Sequence, residues 1–221
     1  MLNDKEVDYI FSQFRGKLEE MGFSIPAVGL IAEEDNSPYR VLVATIISLR
    51  TQDKVTYTAS KRILSEAPDI EKLYSLSEER IQDLIKPSAF YLRKAGQLKE
   101  IARIVISSFN GEIPSTKDEL MSLPGVGTKT ANLVLNLSFN EPYICTDCHV
   151  HEITQRLGWS REKTPEETEK ALEKILSKKY WIEINELFVR YGQAVCTPLS
   201  PKCSISPIDK ECRKIGVEKS R

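Results

Sequence analysis

Apolar residues recur every three or four positions along most of this chain, which is the period of an amphipathic α-helix. The pattern is strongest over residues 91–109, whose apolar face comprises Leu92, Ala95, Leu98, Ile101, Ala102, Val105 and Ile106. Residues 39–49 are apolar nearly all round, so they predict a helix buried at the centre of the fold. No segment shows the alternation of a paired β-strand, and the predicted fold class is therefore all-α.

Capping residues and prolines divide this pattern into separate helices. Ser77 is suited to cap a helix that ends before Pro87, because proline disfavours helical backbone in the residue before it. The remaining helices are predicted at residues 8–20, 39–49, 56–65, 91–109, 115–122, 129–139, 149–157, 165–176 and 181–191. The residues from Thr197 onward contain several prolines and predict a loop.

The chain has 221 residues, of which 41% are hydrophobic and 29% charged, as in a globular protein of one or two lobes. Its longest apolar stretch, residues 41–49, is half of the roughly 18 residues that a membrane span needs. Residues 1–6 lack the basic and apolar regions of a secretory signal. We therefore expect a soluble, intracellular protein that does not insert into a membrane.

The charge of the whole chain is close to neutral, with 31 basic and 32 acidic side chains. DNA-binding domains are often strongly basic, so this balance at first argues against a nucleic-acid partner. The charges are, however, unevenly distributed. Residues 1–36 carry three basic and eight acidic side chains. Residues 86–103 carry five basic side chains and one acidic one, and residues 202–221 carry six basic and three acidic side chains. Two basic segments can thus face DNA, which predicts modest, salt-sensitive binding.

A short turn with two glycines, residues 123–127, separates two predicted helices. Gly125 and Gly127 permit positive φ and a close approach of the backbone to a ligand. The N–H groups at the start of the following helix, from Thr128, then face a phosphate, while Val126 inserts into the core. A glycine turn without a ligand is the alternative. The complete string Leu-Pro-Gly-Val-Gly-Thr-Lys-Thr-Ala favours a helix-hairpin-helix element whose turn residues bind the DNA backbone.

Several further motifs, in the same order, resemble those of the endonuclease III family of base-excision DNA glycosylases. Residues 49–53, Leu-Arg-Thr-Gln-Asp, are similar to the segment that leads into that family's DNA-inserting loop. Residues 87–95 are similar to its Gly-Phe-Tyr-x-x-Lys-Ala stretch, with Ala89 where glycine is usual. Residues 147–150, Asp-Cys-His-Val, resemble its Asp-Thr-His-Val. With the hairpin and a cysteine-containing tail, the resemblance covers most of residues 30–212.

The resemblance implies the two-lobed helix-hairpin-helix glycosylase fold. It places a six-helix domain at residues 31–141, with the hairpin at 123–127. A second helical domain, of the iron–sulfur type, combines both chain ends, residues 1–30 and 142–221. The family further implies a monomer that acts on double-stranded DNA containing damaged bases or abasic sites.

The same resemblance assigns the family's nucleophilic lysine to Lys129 and its catalytic aspartate to Asp147. An amine that attacks the sugar C1′ leaves a covalent imine, which can drive β-elimination of the 3′ phosphate. A carboxylate can accept a proton and stabilise positive charge on the sugar. The implied activity is removal of damaged, oxidised pyrimidines from duplex DNA, followed by nicking of the abasic site.

Other interpretations of these two residues remain open from the sequence. Lys129 in a first helical turn can be a solvated surface charge, and Asp147 before a helix can be only an N-cap. A monofunctional mismatch glycosylase for thymine or adenine is one alternative, although such enzymes generally lack a lysine at this position. A helix-hairpin-helix module that binds DNA without catalysis is another.

Three basic side chains are further candidates for contact with DNA. Arg50 occupies the place where many members of the family have glutamine in the inserting loop, so we expect it to fill the gap left by the extruded base. Arg93 and Lys94 lie in the basic segment 86–103, and we expect them to contact DNA as well.

All five cysteines lie in the C-terminal third of the chain. Cys196, Cys203 and Cys212 match three positions of the family's Cys-x6-Cys-x2-Cys-x5-Cys loop, which holds a 4Fe–4S cluster. Ser206 stands at the remaining position, and its hydroxyl is a harder and less acidic ligand than a thiol. The expected cofactor is therefore a weakened or altered 4Fe–4S cluster in the loop 196–212. The sequence leaves three outcomes open: a four-iron cluster with serine or water at one iron, a three-iron cluster, or no cluster.

The other two cysteines, Cys145 and Cys148, form a Cys-x2-Cys pair. No second pair has zinc-finger spacing, so the sequence favours small buried hydrophobic residues over a zinc site.

Overall fold

A computed structural model describes the whole chain, Met1–Arg221. The chain is helical throughout and contains no strand, which confirms the all-α prediction. None of the helices is both long enough and apolar enough to cross a membrane. In chain order the α-helices are α1 Asp4–Glu20, α2 Ala27–Glu34, α3 Pro38–Ser48, α4 Asp53–Glu66, α5 Ile70–Ser75, α6 Glu78–Ile85, α7 Tyr91–Ser108, α8 Lys117–Ser122, α9 Thr128–Phe139, α10 Cys148–Leu157, α11 Pro165–Ile175 and α12 Glu183–Ala194. Two 3-10 turns follow α11 and α12, at Lys178–Tyr180 and Cys203–Ile205.

The chain divides into two compact units. The internal unit is the continuous segment Pro26–Glu141, and the terminal unit combines Met1–Ile25 with Pro142–Arg221. The helix α2 runs across residues 30 and 31, where the sequence-based boundary lies, and the whole helix belongs to the internal unit.

The internal unit holds eight helices, two more than the sequence predicts. The two additional helices, α2 and α5, have eight and six residues. Such short helices show too few apolar repeats to stand out by period. Asp69 caps α5 by accepting a hydrogen bond from the backbone N–H of Lys72, a local signal that the apolar pattern does not contain.

The helix α3 is the centre of the internal unit. Every residue from Val41 to Ile47 is buried, and the helix packs against α2, α4 and α9. Pro38 occupies its first turn, where the missing N–H of proline costs nothing. The hydroxyl of the buried Thr45 donates to the carbonyl oxygen of Val41, so the polar atom is satisfied inside the core. The structure therefore confirms the buried central helix that the sequence predicts.

Both ends of the chain build the core of the terminal unit. The helix α1 packs against α12 with its apolar face, which comprises Val7, Ile10, Phe11, Phe14 and Leu18. The rings of Phe14 and Tyr191 stack with centroids 3.6 Å apart, and Phe188 contacts Phe11 and Phe14. The N-terminal helix thus supplies apolar surface that the C-terminal segment needs for burial.

Candidate functional site

The hairpin between α8 and α9 needs glycine at one position for geometric reasons. Gly125 has a φ of +72°, in the left-handed region that side chains disfavour. A Cβ atom at Gly125 would lie 2.1 Å from Nε2 of Gln97. That same amide donates a hydrogen bond of 2.9 Å to the carbonyl oxygen of Pro124 and holds the turn against α7. Gly125 therefore fits both the turn and its contact with α7.

The positive φ predicted for the second glycine of the turn is wrong, whereas the predicted close approach of its backbone to a ligand stays a prediction. Gly127 has a φ of −94°, which any residue can adopt, and no atom lies within 4 Å of the position of a Cβ there. Its importance is therefore the open space it leaves in front of α9, not positive φ. Val126 is buried, as its predicted insertion into the core requires, so only its backbone can meet DNA.

The helix α9 begins directly at this open space. Gly127 is its N-cap and supplies no capping side chain. Thr128, the first residue of α9, is half-buried, and Lys129 follows it with an exposed side chain. An N-terminus that no side chain caps is suited to bind an anion such as a DNA phosphate.

Asp147 caps the helix α10 in the terminal unit. One oxygen of its carboxylate accepts hydrogen bonds from the backbone N–H groups of His149, at 2.9 Å, and Val150, at 3.0 Å. The side chain is half-buried, and these two bonds fix its orientation. The N-cap interpretation of Asp147 is thus confirmed, and it leaves a catalytic role open because a cap engages only part of a carboxylate.

Arg50 lies on the short loop between α3 and α4, with its side chain exposed. Its φ of 55° is left-handed, which is uncommon for a residue other than glycine and is concentrated at functional sites. Its guanidinium lies 5.9 Å from the centre of the Phe90 ring. The loop therefore presents a cation, supported by an aromatic ring, to the surface of the internal unit.

Phe90 is a candidate that the sequence reasoning missed. It is 60% exposed, has a φ of 56° and precedes α7 as its N-cap without a side-chain capping bond. Left-handed backbone in a residue other than glycine is concentrated at functional sites, and the exposed ring offers an apolar face for stacking. Phe90 lies within the motif of residues 87–95 that resembles the family, so its place in that motif could have identified it.

These features line one pocket on the internal unit. The pocket is lined by Leu49, Arg50, Phe90, Arg93, Lys94, Gln97 and Gly125. Four of the predicted DNA contacts, namely Arg50, Arg93, Lys94 and Gly125, therefore come together, although they are spread over about 75 residues of sequence.

The predicted DNA contact by Lys94 needs correction. Lys94 is only 4% exposed, and its ammonium donates to the carbonyl oxygens of Ile47 and Leu49, both at 2.7 Å, and to the hydroxyl of Thr51 at 2.9 Å. Burial lowers the pKa of Lys94 to about 8. All three donors of the ammonium are used inside the protein, so we reassign Lys94 from DNA contact to support of the Arg50 loop.

The basic segment 86–103 likewise offers less charge to DNA than its composition suggests. Lys86 pairs with Asp83 at 3.0 Å, and Arg103 pairs with Glu100 at 2.7 Å. Lys99 donates to the carbonyl oxygens of Tyr74 and Leu76 in the neighbouring segment. Arg93 is exposed and makes neither an ion pair nor a hydrogen bond, so it is the cation of this segment that remains available.

The three cysteines of the tail and Ser206 share a second cavity, in the terminal unit. Cys196, Cys203, Cys212 and Ser206 all line it, together with Tyr191 and Arg156. Burial raises the pKa of the Cys196 and Cys212 thiols, and the neighbouring thiols raise it further. The Arg156 guanidinium opposes this shift at Cys196, because it donates a 3.2 Å hydrogen bond to the sulfur.

Arg156 also fixes the start of the cysteine loop. It is nearly buried and donates to the carbonyl oxygens of Cys196, Thr197 and Pro198 at 2.6–3.1 Å. A donor set of three thiols and one hydroxyl around a single cavity fits an iron–sulfur cluster with one oxygen ligand.

The remaining cysteines differ from each other in burial. Cys145 is buried, as predicted, but Cys148 is exposed as the first residue of α10, so the prediction of two buried residues is wrong for Cys148. The spacing alone could not show that α10 begins at Cys148 itself, whose side chain is exposed.

A family model described as HhH-GPD superfamily base excision DNA repair protein matches residues 43–178. The chain belongs to this superfamily. The match contains the second half of the central helix α3, from residue 43, together with the whole hairpin and α10.

Within the HhH-GPD superfamily the chain is similar to endonuclease III. It is 41% identical over 179 residues to Endonuclease III of Thermotoga maritima, covering 81% of this chain and 84% of that protein. It is also 41% identical to Endonuclease III homolog 1, chloroplastic, of Arabidopsis thaliana, of which it spans about half, 48% of the length. A structure of a trapped Endonuclease III–DNA covalent intermediate superposes with a TM-score of 0.79 at 27% identity, covering 97% of both chains.

These similarities confirm the predicted family and the predicted base-excision repair class for this HhH-GPD protein. They also confirm the helix-hairpin-helix glycosylase fold. Members of the endonuclease III family generally bind a 4Fe–4S cluster.

Proposed function

We propose that Lys129 is the nucleophile and Asp147 its carboxylate partner in a DNA glycosylase that also cleaves abasic sites. The substrate is duplex DNA with damaged, oxidised pyrimidines, and a single chain carries out the reaction. The observation that carries the proposal is the place of Lys129, which is exposed in the first turn of α9, directly after the open hairpin. The similarity to an Endonuclease III that was trapped covalently on DNA supports it.

The reaction begins when the unprotonated amine of Lys129 attacks C1′ of the deoxyribose. The bond from C1′ to the base breaks, and the base leaves with that electron pair and a proton. The nitrogen lone pair then expels O4′, which opens the sugar ring and takes a proton from water, and a protonated imine remains between Lys129 and C1′. This imine makes the C2′ protons acidic. Removal of one C2′ proton expels the 3′ phosphate with the electrons of its C–O bond, which nicks the strand. Water then hydrolyses the imine and returns the amine.

Asp147, which matches the family's catalytic aspartate, contributes a negative charge during base removal. Its two backbone hydrogen bonds hold the carboxylate in one orientation before substrate binds. A preorganised carboxylate stabilises the positive charge that develops on the sugar as the base leaves, without reorganisation during the reaction. As a carboxylate it can also accept a proton in the reaction.

The surface around the hairpin holds the DNA. The backbone from Gly125 to Thr128 binds a phosphate at the N-terminus of α9, and Arg93 binds a second. Arg50 and Phe90 enter the duplex beside the extruded nucleotide, because an enzyme that acts on C1′ must first take the nucleotide out of the stack. The exposed ring of Phe90 can stack on a neighbouring base, while Arg50 contacts the orphaned partner.

A cluster in the terminal unit has a structural part in this proposal. Cys196, Cys203 and Cys212, with Ser206, are the residues that would hold a 4Fe–4S cluster. When bound, the cluster cross-links the loop 196–212, and no step of base removal passes through it. The chain itself already orders the entry to this loop through Arg156.

Covalent trapping tests the role of Lys129. With borohydride and an abasic-site duplex, we expect an adduct for the unaltered chain and none for Lys129→Ala. Lys72→Ala is the matched control, because it removes an exposed lysine on α5 in the same unit. An adduct that persists at full yield in Lys129→Ala overturns the assignment, whereas absence of any adduct with the unaltered chain favours a mismatch glycosylase or a non-catalytic module.

Asp147→Asn isolates the charge of Asp147 from its role as a cap. Asparagine is as good an N-cap as aspartate, so we expect the melting temperature to stay the same. Base excision in a single-turnover assay should fall by about 100-fold or more, as for loss of a general base. Equal rates for the variant and the unaltered chain would leave Asp147 with only its capping role.

A panel of duplexes with defined lesions tests the substrate. We expect excision of oxidised pyrimidines and little release of thymine or adenine from mispairs. The reverse preference would identify the mismatch alternative.

A further inference from the structure

The residue that departs from the four-cysteine pattern, Ser206, has a specific partner in the structure. The hydroxyl oxygens of Ser206 and Tyr191 lie 2.8 Å apart. Both residues line the cavity of Cys196, Cys203 and Cys212. The backbone N–H of Ile208 also approaches the Ser206 oxygen, at 3.4 Å. The serine oxygen therefore faces the same cavity as the thiols and is held there by a buried phenol.

We propose that Ser206 binds one iron of the cluster through its hydroxyl oxygen and that Tyr191 donates a hydrogen bond to that oxygen. The cluster then has three irons held by thiolates and one held by oxygen. The oxygen-bound iron is the weakest of the four, because iron in such clusters prefers soft sulfur ligands. This site depends on the cluster proposed above and not on the glycosylase chemistry.

The direction of the hydrogen bond follows from ligand chemistry. A serine oxygen that binds iron has given its proton to solvent, so it can only accept a hydrogen bond. Tyr191 must then be the donor. It is 2% exposed, and a buried phenol stays neutral and keeps its proton, which it can donate. Stacking on Phe14, with the two rings 11° from parallel, holds the phenol in place.

A second oxygen donor lines the cavity and competes for the same iron. The carboxylate of Asp209 is among the lining groups, but one of its oxygens lies 2.7 Å from Nζ of Lys214. That ion pair neutralises the carboxylate, whereas the Ser206 oxygen faces only a neutral donor. The geometry therefore favours Ser206 over Asp209 as the ligand.

Loss of the oxygen-bound iron balances without an added oxidant. A [4Fe–4S]²⁺ cluster that releases Fe²⁺ becomes [3Fe–4S]⁰, and the serine oxygen takes a proton from water. Ser206 is then again a hydroxyl that pairs with Tyr191, as in the structure. The four-iron and three-iron forms are thus expected to interconvert by loss and uptake of one ferrous ion.

Iron release from the full chain, purified or reconstituted without oxygen, tests the proposal. With a ferrous chelator we expect about one quarter of the iron to leave in a fast phase, because one of four irons lacks a thiolate. Oxidation with ferricyanide afterwards should give the paramagnetic signal of a three-iron cluster. Mössbauer spectra should show one distinct iron site in four before chelation.

Three variants identify the ligand. Ser206→Cys should abolish the fast phase and the distinct Mössbauer site. Tyr191→Phe keeps the ring stack and should speed the fast phase about fivefold, the effect of losing one hydrogen bond of ordinary strength. Asp209→Asn is the matched control and should leave both unchanged. The melting temperature of each variant shows whether its fold is intact.

Several results would overturn the proposal. These are a chain that takes up no iron under anaerobic reconstitution, four equivalent irons, a fast phase that survives Ser206→Cys, or one that disappears in Asp209→Asn. None of these readouts requires DNA, so they are separate from the borohydride result. If no borohydride adduct forms but the fast phase of iron release is observed, only the role of Lys129 is overturned. If the adduct forms but the fast phase is absent, only the role of Ser206 is overturned.

Discussion

Arg93 and Lys94 are neighbours in the sequence with the same formal charge, yet they have different surroundings. Arg93 is exposed on α7 and has no ion pair, whereas Lys94 is buried with three oxygen acceptors from residues 47–51. The two positions are about 100° apart around the helix axis, so one faces solvent and the other faces the core. A net charge for residues 86–103 cannot distinguish them.

This contrast gives opposite expectations for two substitutions. Lys94→Met should destabilise the fold by about 2 kcal/mol or more, because buried oxygen atoms lose their donor. Arg93→Met should leave stability within about 0.5 kcal/mol, as for most surface changes. In DNA binding measured over a range of salt concentrations, Arg93→Met should reduce the slope of log K against log salt by about 1. If Lys94→Met reduces that slope and leaves unfolding unchanged, Lys94 contacts DNA after all.

Arg50 combines backbone strain with a place on the pocket that we propose to face DNA. Its left-handed φ matches that of Asn140, which ends α9 and has no proposed function. Arg50→Gly and Asn140→Gly should both change stability by no more than about 1 kcal/mol, since relief of strain offsets the greater entropy of glycine. Only Arg50→Gly should lower excision, while Arg50→Gln should retain most of it. Chemical denaturation and single-turnover excision measure the two effects, and equal excision by both glycine variants would remove Arg50 from the site.

At the scale of elements, the hairpin is defined by two glycines with separate roles. Gly125 allows a left-handed turn against Gln97, whereas Gly127 leaves the N-terminus of α9 accessible. In the proposed phosphate site the two roles are complementary, because the turn positions the N-terminus of α9 and the open space leaves room for a phosphate.

Alanine substitutions separate these roles. Gly125→Ala should destabilise the chain by about 1–2 kcal/mol, through its left-handed φ and the displaced Gln97 amide. Gly127→Ala should leave the melting temperature nearly unchanged but weaken DNA binding about tenfold, because a methyl group occupies the space of the phosphate contact. Differential scanning fluorimetry and fluorescence anisotropy measure the two effects. Destabilisation by Gly127→Ala, or unchanged DNA affinity in that variant, would contradict the assignment.

At the scale of the whole molecule, the two units are not consecutive segments of the chain. The internal unit is one continuous segment, but the terminal unit needs both ends of the chain. The five buried apolar side chains of α1 contribute on the order of 10 kcal/mol at about 2 kcal/mol each, comparable with the whole stability of a domain.

Fragments therefore should differ in their ability to fold. We expect residues 26–141 to unfold cooperatively with helical circular dichroism, because this segment contains its own buried central helix. Residues 142–221 alone should lack cooperative unfolding and regain it when a peptide of residues 1–25 is added. A folded fragment 142–221 without that peptide would show that α1 is dispensable for this core.

Much of this protein was determined by local sequence. Helical periods, the proline that ends α6, the hairpin string and the cysteine spacing all act over a few residues, so they can be identified without a fold. The catalytic candidates Lys129 and Asp147 belong to such local motifs, as does the N-cap role of Asp147.

The tertiary structure alone decided which charges and rings remain at the surface. Lys94 is buried against acceptor oxygens that lie more than 40 residues earlier in the chain. Phe90 is exposed at a left-handed turn directly before α7. Ser206 likewise has its partner 15 residues away, on α12. Burial and hydrogen bonding between distant segments depend on how helices pack, and the local period of a sequence does not contain that information.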